Sequence, residues 1–108
     1  MESKLFTPVT FGPLTLRIRT IRSAAFESMC PGNAPSDMLL DYHRSVAAGG
    51  ISMTTVAYAA VTQSGLSFDR QLWMRPEIIP GLRKLPDAIQ AEGAAAGIQL
   101  GQCGTMSN

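Results

Sequence analysis

The sequence predicts an α/β fold built on parallel strands, and three observations carry that expectation. Two stretches of helical period, residues 36–50 and 79–92, alternate with β-branched or small apolar runs at 17–22, 51–61 and 94–100. Each helical stretch stops at glycine, Gly49-Gly50 and Gly93, directly before the next run. Each run ends in small or polar residues that open into a loop. Strands alternating with helices join as right-handed βαβ units, which lay the strands side by side and parallel. In barrels and open sheets of this kind, ligands collect at the C-terminal strand ends.

The first element is a β-hairpin over residues 5–16. Val9 and Phe11 alternate with Thr10, Gly12-Pro13 turns the chain, and Leu14 and Leu16 alternate with Thr15. One apolar face results, and it needs something to cover. Arg17-Ile18-Arg19-Thr20-Ile21-Arg22 continues as extended chain. Its arginines suit a buried strand only at the ends or when paired. The next stretch, Ser23-Ala24-Ala25-Phe26, is small and then aromatic. Its small residues either pack under a helix or leave the backbone open to a flat ligand. Glu27 follows, with a salt bridge to Arg19 or Arg22 as its expected fate.

Residues 30–35 are rich in Pro, Gly and Asn and read as loop. Ser36 is a good N-cap, with Asp37 placed where the helix dipole favours negative charge. Leu39, Leu40, His43, Val46 and Ala47 form the buried stripe, so His43 is expected to be structural. Residues 51–56 are strand, extended through Ala57-Tyr58-Ala59-Ala60-Val61, and 62–65 turn. Residues 66–77 show no period and read as a long loop anchored by Phe68, Trp73 and Met74. The second helix carries Leu82, Leu85 and Ile89 on its stripe and Pro80 in its first turn. Pro86 either kinks it or marks its true start. Residues 94–100 form a third strand, broken at 101–104.

A chain of 108 residues suffices for one small domain with its own core. Formal net charge is +1, with both signs mixed along the chain, which gives no basis for a nucleic-acid or anionic-membrane partner. No apolar run approaches the ~18 residues that span a bilayer. Met1-Glu2-Ser3-Lys4 lacks the basic-then-apolar pattern of a signal peptide, so a cytoplasmic location is expected. Cys30 and Cys103 lie outside any C-x-x-C spacing and read as free thiols, and His43 is the single histidine, so a zinc site is not expected. No G-x-G-x-x-G or G-x-x-x-x-G-K loop follows a strand.

Several segments carry a more specific pattern in this order: Leu5-Phe6-Thr7-Pro8 with Gly12-Pro13-Leu14-Thr15-Leu16, then Arg19, then Arg22-Ser23-Ala24-Ala25-Phe26-Glu27. Asp41-Tyr42 through Gly49-Gly50, Ile78-Ile79-Pro80-Gly81-Leu82-Arg83 and Ile98-Gln99-Leu100 follow. Together they resemble the N-terminal part of the old yellow enzyme family, the flavin-dependent NADH:flavin oxidoreductases and ene reductases. The chain departs from that family after the third strand, where Gln102-Cys103-Gly104-Thr105 stands in place of a His-x-Gly-Arg segment.

The resemblance implies a (β/α)8 TIM barrel holding FMN at the C-terminal strand ends, with residues 1–108 as the N-terminal segment of that domain. It implies that Ser23, Ala24, Ala25 and Phe26 line the flavin, that Tyr58 follows at the end of the second strand, and that Gln99 offers its amide to the pyrimidine edge. It implies NAD(P)H as reductant and an activated alkene, such as an α,β-unsaturated carbonyl compound, as acceptor. Such a barrel takes about 250 residues, so the hairpin, three strands and two helices expected here make it incomplete. The missing part of the barrel, on the same or a separate chain, is then a required partner, and homo-oligomers stay open. So does a fragment that pairs through its open sheet edge without cofactor, and a barrel that holds a phosphorylated metabolite in place of FMN.

Overall fold

The computed structural model describes residues 4–102. Cys103 and Gly104, the second half of the break expected at 101–104, lie outside them. The chain opens with a 3-10 turn at Lys4–Phe6 and the hairpin of β1 (Val9–Phe11) and β2 (Leu14–Leu16). Val9 pairs with Leu16 and Phe11 with Leu14 in antiparallel register. Gly12 takes the positive φ, +55°, that the tight turn requires. Only Leu16 of the hairpin's apolar residues is buried, while Phe11 and Leu14 stay exposed.

Four further strands form a parallel sheet: β3 (Ile21–Arg22), β4 (Met53–Ala60), β5 (Leu72–Trp73) and β6 (Ala95–Gly101). Strand β4 is central. One flank carries β3 at Met53-Thr54 and β5 at Ala59-Ala60, and the other carries β6 along most of the strand's length. The strand expected over 17–22 narrows to its last two residues because its arginines are engaged elsewhere. Arg17 reaches the helix ends, and the Arg19 N–H donates to the Leu5 carbonyl at 2.8 Å. Strand β5 lies inside the stretch read as loop, so that expectation is corrected. Its two residues are too few to leave a periodic signal.

Helix α1 (Asp37–Ala48) starts as expected, with Ser36 Oγ accepting from the Leu39 N–H at 3.1 Å. Helix α2 (Ile79–Ala91) has Pro80 in its first turn and runs through Pro86 as one element. Both helices pack on the same face of the sheet. Leu39 of α1 and Leu85 of α2 meet Val56 and Ala59 of β4, joined by Cys30, Leu72 and Ile78. Lower down, Ala47 and Ile89 meet around Ala94 and Ala96. Strands added in one direction with every crossover right-handed put all their helices on one side. That one-sided layering is the arrangement of a barrel wall, where a doubly wound sheet would carry helices on both faces.

At the N-terminal strand ends, Arg17 joins both helices. Its guanidinium donates to the carbonyls of Ala47 and Ile51 behind α1, at 2.6 and 2.8 Å, and of Glu92 behind α2, at 2.8 Å. The Ala47 and Glu92 carbonyls lie at negative helix dipole ends that a cation complements, although Ala47 also accepts from the Gly50 N–H at 3.1 Å.

Candidate functional site

The opposite ends of the strands bring most of the expected site residues together. Arg22 is the last residue of β3, so Ser23, Ala24 and Ala25 leave the sheet as irregular chain, with Ser23 and Ala25 exposed and Ala24 half-buried. Phe26 then turns back over β4. Its ring lies 5.7 Å from that of Tyr58, tilted by 58°, and stacks on Phe68 at 4.6 Å and 22°. The first is an edge-biased contact and the second an offset stack, both favoured by aromatic quadrupoles.

A β-bulge sets where Tyr58 points. Val56 pairs with Ile98, but the next pair is Ala59 with Leu100, so Ala57 and Tyr58 together oppose Gln99. From Val56, strict alternation would turn Tyr58 toward the helices and Ala59 away from them. The bulge reverses this. Ala59 joins Val56 in the helix-side core, and Tyr58 lies on the other face. There its ring covers Gly101, whose added Cβ would sit 3.5 Å from Tyr58 Cδ2. Gln99 is exposed on the strand facing the bulge. Bulges are common beside active sites because they re-aim a side chain in this way.

Behind Phe26 lies a buried polar cluster. The Glu27 side chain is only 3% exposed. Its Oε1 accepts from the Ala57 N–H at 3.2 Å, and its Oε2 lies 2.8 Å from His43 Nε2 and 3.3 Å from Arg22 Nη1. A carboxylate only accepts, so His43 Nε2 carries the hydrogen it donates. His43 Nδ1 meets Thr54 Oγ1 at 2.7 Å. Arg22 also donates to the Thr55 carbonyl at 2.8 Å and to the Tyr42 hydroxyl at 3.3 Å, with its guanidinium 5.0 Å from the Tyr42 ring centroid. The expected pairing of Glu27 is with Arg22, and His43 is buried as read, but the link between them joins residues 16 apart and left no local signal.

The loop carrying Phe68 is held. Gln71 Oε1 accepts from the N–H groups of Ser67 and Phe68, at 2.8 and 3.3 Å. Asn33 donates to the carbonyls of Asp69 and Gln71, and Arg75 to those of Asn33 and Trp73. Phe68, read as a loop anchor, is instead 48% exposed and stacked on Phe26. An aromatic in a polar loop was the one signal for it.

A profile of the NADH:flavin oxidoreductase / NADH oxidase family matches residues 4–108. The chain belongs to that family. It is 47% identical over 104 residues to the 4,4'-dithiodibutanoate disulfide reductase of Rhodococcus erythropolis, covering 96% of this chain and 26% of that protein. The fold matches a 2-naphthoyl-CoA reductase structure with a TM-score of 0.92 at 26% identity, over 97% of this chain and 16% of that one. Old yellow enzyme from Pichia sp. AKU4542 shares the fold alone, with a TM-score of 0.84 at 13% identity, over 94% of this chain and 27% of that one. The chain thus spans about a quarter or less of these relatives, and its sheet is the matching part of a TIM barrel. Among the described residues, no helix is long and apolar enough to cross a membrane, and no three His, Cys, Asp or Glu side chains are grouped as metal ligands would be.

Proposed function

We propose that this segment forms one wall of an FMN site, in a reductase that takes hydride from NAD(P)H and whose barrel is completed by further strands. The observation that carries the reading is the bulge, which sets Tyr58 beside Gln99 and under Phe26 at the C-terminal strand ends. The residues suit a flat, partly polar ring. Ser23, Ala24 and Ala25 keep side-chain bulk away from the backbone, so its N–H and carbonyl groups can meet the ring closely. Gln99 has an amide donor and acceptor in one plane, which fits the alternating groups of a pyrimidine edge. Phe26 and Tyr58 exclude water beside it. Bound FMN would supply hydride acceptance from NAD(P)H and hydride delivery to the acceptor.

The family character supports a reductase. The acceptor we favour is an activated alkene, in line with the family resemblance of the strand-end motifs. The 47% identity to a disulfide reductase favours an organic disulfide as the second reading. Co-expression with a C-terminal barrel portion tests both. The expected product is yellow, binds FMN and oxidises NAD(P)H, with turnover of an α,β-unsaturated ketone exceeding that of an alkyl disulfide. A faster disulfide reaction would select the second reading, and a colourless, inactive complex would sink the flavin reading altogether.

A further inference from the structure

The Arg22–Glu27–His43–Thr54 cluster is more than a core contact. Burying a carboxylate is costly unless it is fully paired, and an apolar side chain of similar volume would serve stability as well or better. Here the burial coincides with two backbone features that the proposed site depends on. Residues 23–26 have left the ladder after Arg22, so no strand neighbour fixes them. Glu27, the residue directly after them, is tied at both oxygens. One of those ties is the N–H of Ala57, inside the bulge that aims Tyr58. The same carboxylate therefore fixes the irregular segment to the irregular part of β4. His43, from the centre of α1, and Arg22, from the end of β3, hold the carboxylate in turn.

We propose that Glu27 is a positioning residue for the flavin. It sets the spacing between residues 23–26 and the Ala57-Tyr58 bulge, and its charge offsets that of Arg22 in the buried cluster behind Phe26. This inference rests on the FMN reading above. It predicts an effect on the cofactor that a purely structural ion pair would not have. Replacing the carboxylate by an amide leaves the Arg22 cation uncompensated, and a more positive surrounding favours the electron-rich reduced flavin.

The test uses the complete, FMN-loaded barrel that carries this segment. In Glu27→Gln, the dissociation constant for FMN is expected to rise by about tenfold, and the two-electron midpoint potential of bound FMN to move upward. His43→Leu, which deprives the carboxylate of a partner, is expected to weaken FMN binding in the same direction. His43→Gln, whose amide can donate to Glu27 and accept from Thr54, should restore it. Should Glu27→Gln fail to fold, the two His43 variants decide the matter by the same affinity measurement. FMN affinity and potential that stay at wild-type values, with only the melting temperature lowered, would overturn the inference and leave Glu27 a structural residue. A wild-type barrel that takes up no FMN would overturn the FMN reading and this inference with it.

Discussion

Burial pushes the Cys30 thiol from its ordinary value of 9.0 up to about 11, helped by the nearby Glu27 carboxylate and opposed by the Arg70 guanidinium. The thiolate is the nucleophile, so at pH 8 Cys30 should react with iodoacetamide about a hundredfold more slowly than a free thiol, as followed by mass spectrometry. Glu27→Gln should raise that rate by removing the second cause. The same shift fixes a sign for stability. Below pH 9.0 the thiol is protonated in folded and unfolded chains alike, and its contribution is intact. As pH rises from there toward about 11, the unfolded chain sheds the proton and the folded chain keeps it, so stability falls across that window. A denaturation midpoint insensitive to pH between those values, or a midpoint restored in Cys30→Ala no better than in wild type, would contradict this. At Ala25, exposed on the irregular segment, replacement by Trp should abolish FMN binding in the complete barrel with little change in melting temperature. Unchanged flavin occupancy would return residues 23–26 to simple packing.

At the scale of elements, the two helices, β4 and β6 were legible because their signals are local. Apolar stripes recur at helical spacing, Ser36 caps, and glycines stop each helix just ahead of a strand. Strand β5 was not, since two residues carry no period. Nor was the bulge, because Ala57, Ala59 and Ala60 fit either face of a strand equally well and so cannot report a change of phase. The expected site residues were found by resemblance, and their alignment in space came only from the bulge. The Arg17 bridge was hidden for a different reason: it joins residues 30 to 75 positions apart. It yields a prediction of its own. Arg17→Ala leaves the Ala47, Ile51 and Glu92 carbonyls without their cation and should cost about 2–3 kcal/mol. Arg17→Lys should recover only part, since a single ammonium cannot span three carbonyls as a planar fork does. Gly93→Ala should act on the same bridge. Its φ of +86° disfavours a side chain, and the added Cβ would lie 2.6 Å from Arg17 Nη1, so a loss of about 1–2 kcal/mol is expected. Urea midpoints of the three variants in the complete barrel check the order. With no loss in Arg17→Ala, the bridge would contribute nothing to holding the helix ends.

The whole molecule presents surfaces that a finished barrel covers. Ile21 faces away from the helices beside Met53, on the side a barrel fills with side chains, and is 50% exposed. Leu100 near the end of β6 is 56% exposed, and among the described residues no strand pairs with the outer edge of β6. An apolar groove lined by Val56, Leu82, Leu85, Ile89 and Ile98 runs between α2 and β6 on the helix side. It opens on the helix side of the sheet, on the face opposite Tyr58. A parallel edge that leaves Ile98 and Leu100 exposed is a template for further pairing. Residues 1–108 expressed alone should therefore self-associate, eluting above monomer mass in size-exclusion chromatography and binding a dye specific for exposed apolar surface. Supplying the remaining strands in trans should remove both signals together and bring in flavin, because the same pairing that covers the β6 edge closes the opposite wall of the site. Introducing Lys at Leu100, on that edge, should reduce self-association of the segment and also weaken complementation. A soluble, dye-negative monomer from residues 1–108 would show instead that this sheet is closed by its own chain, and would remove the structural reason for a barrel partner.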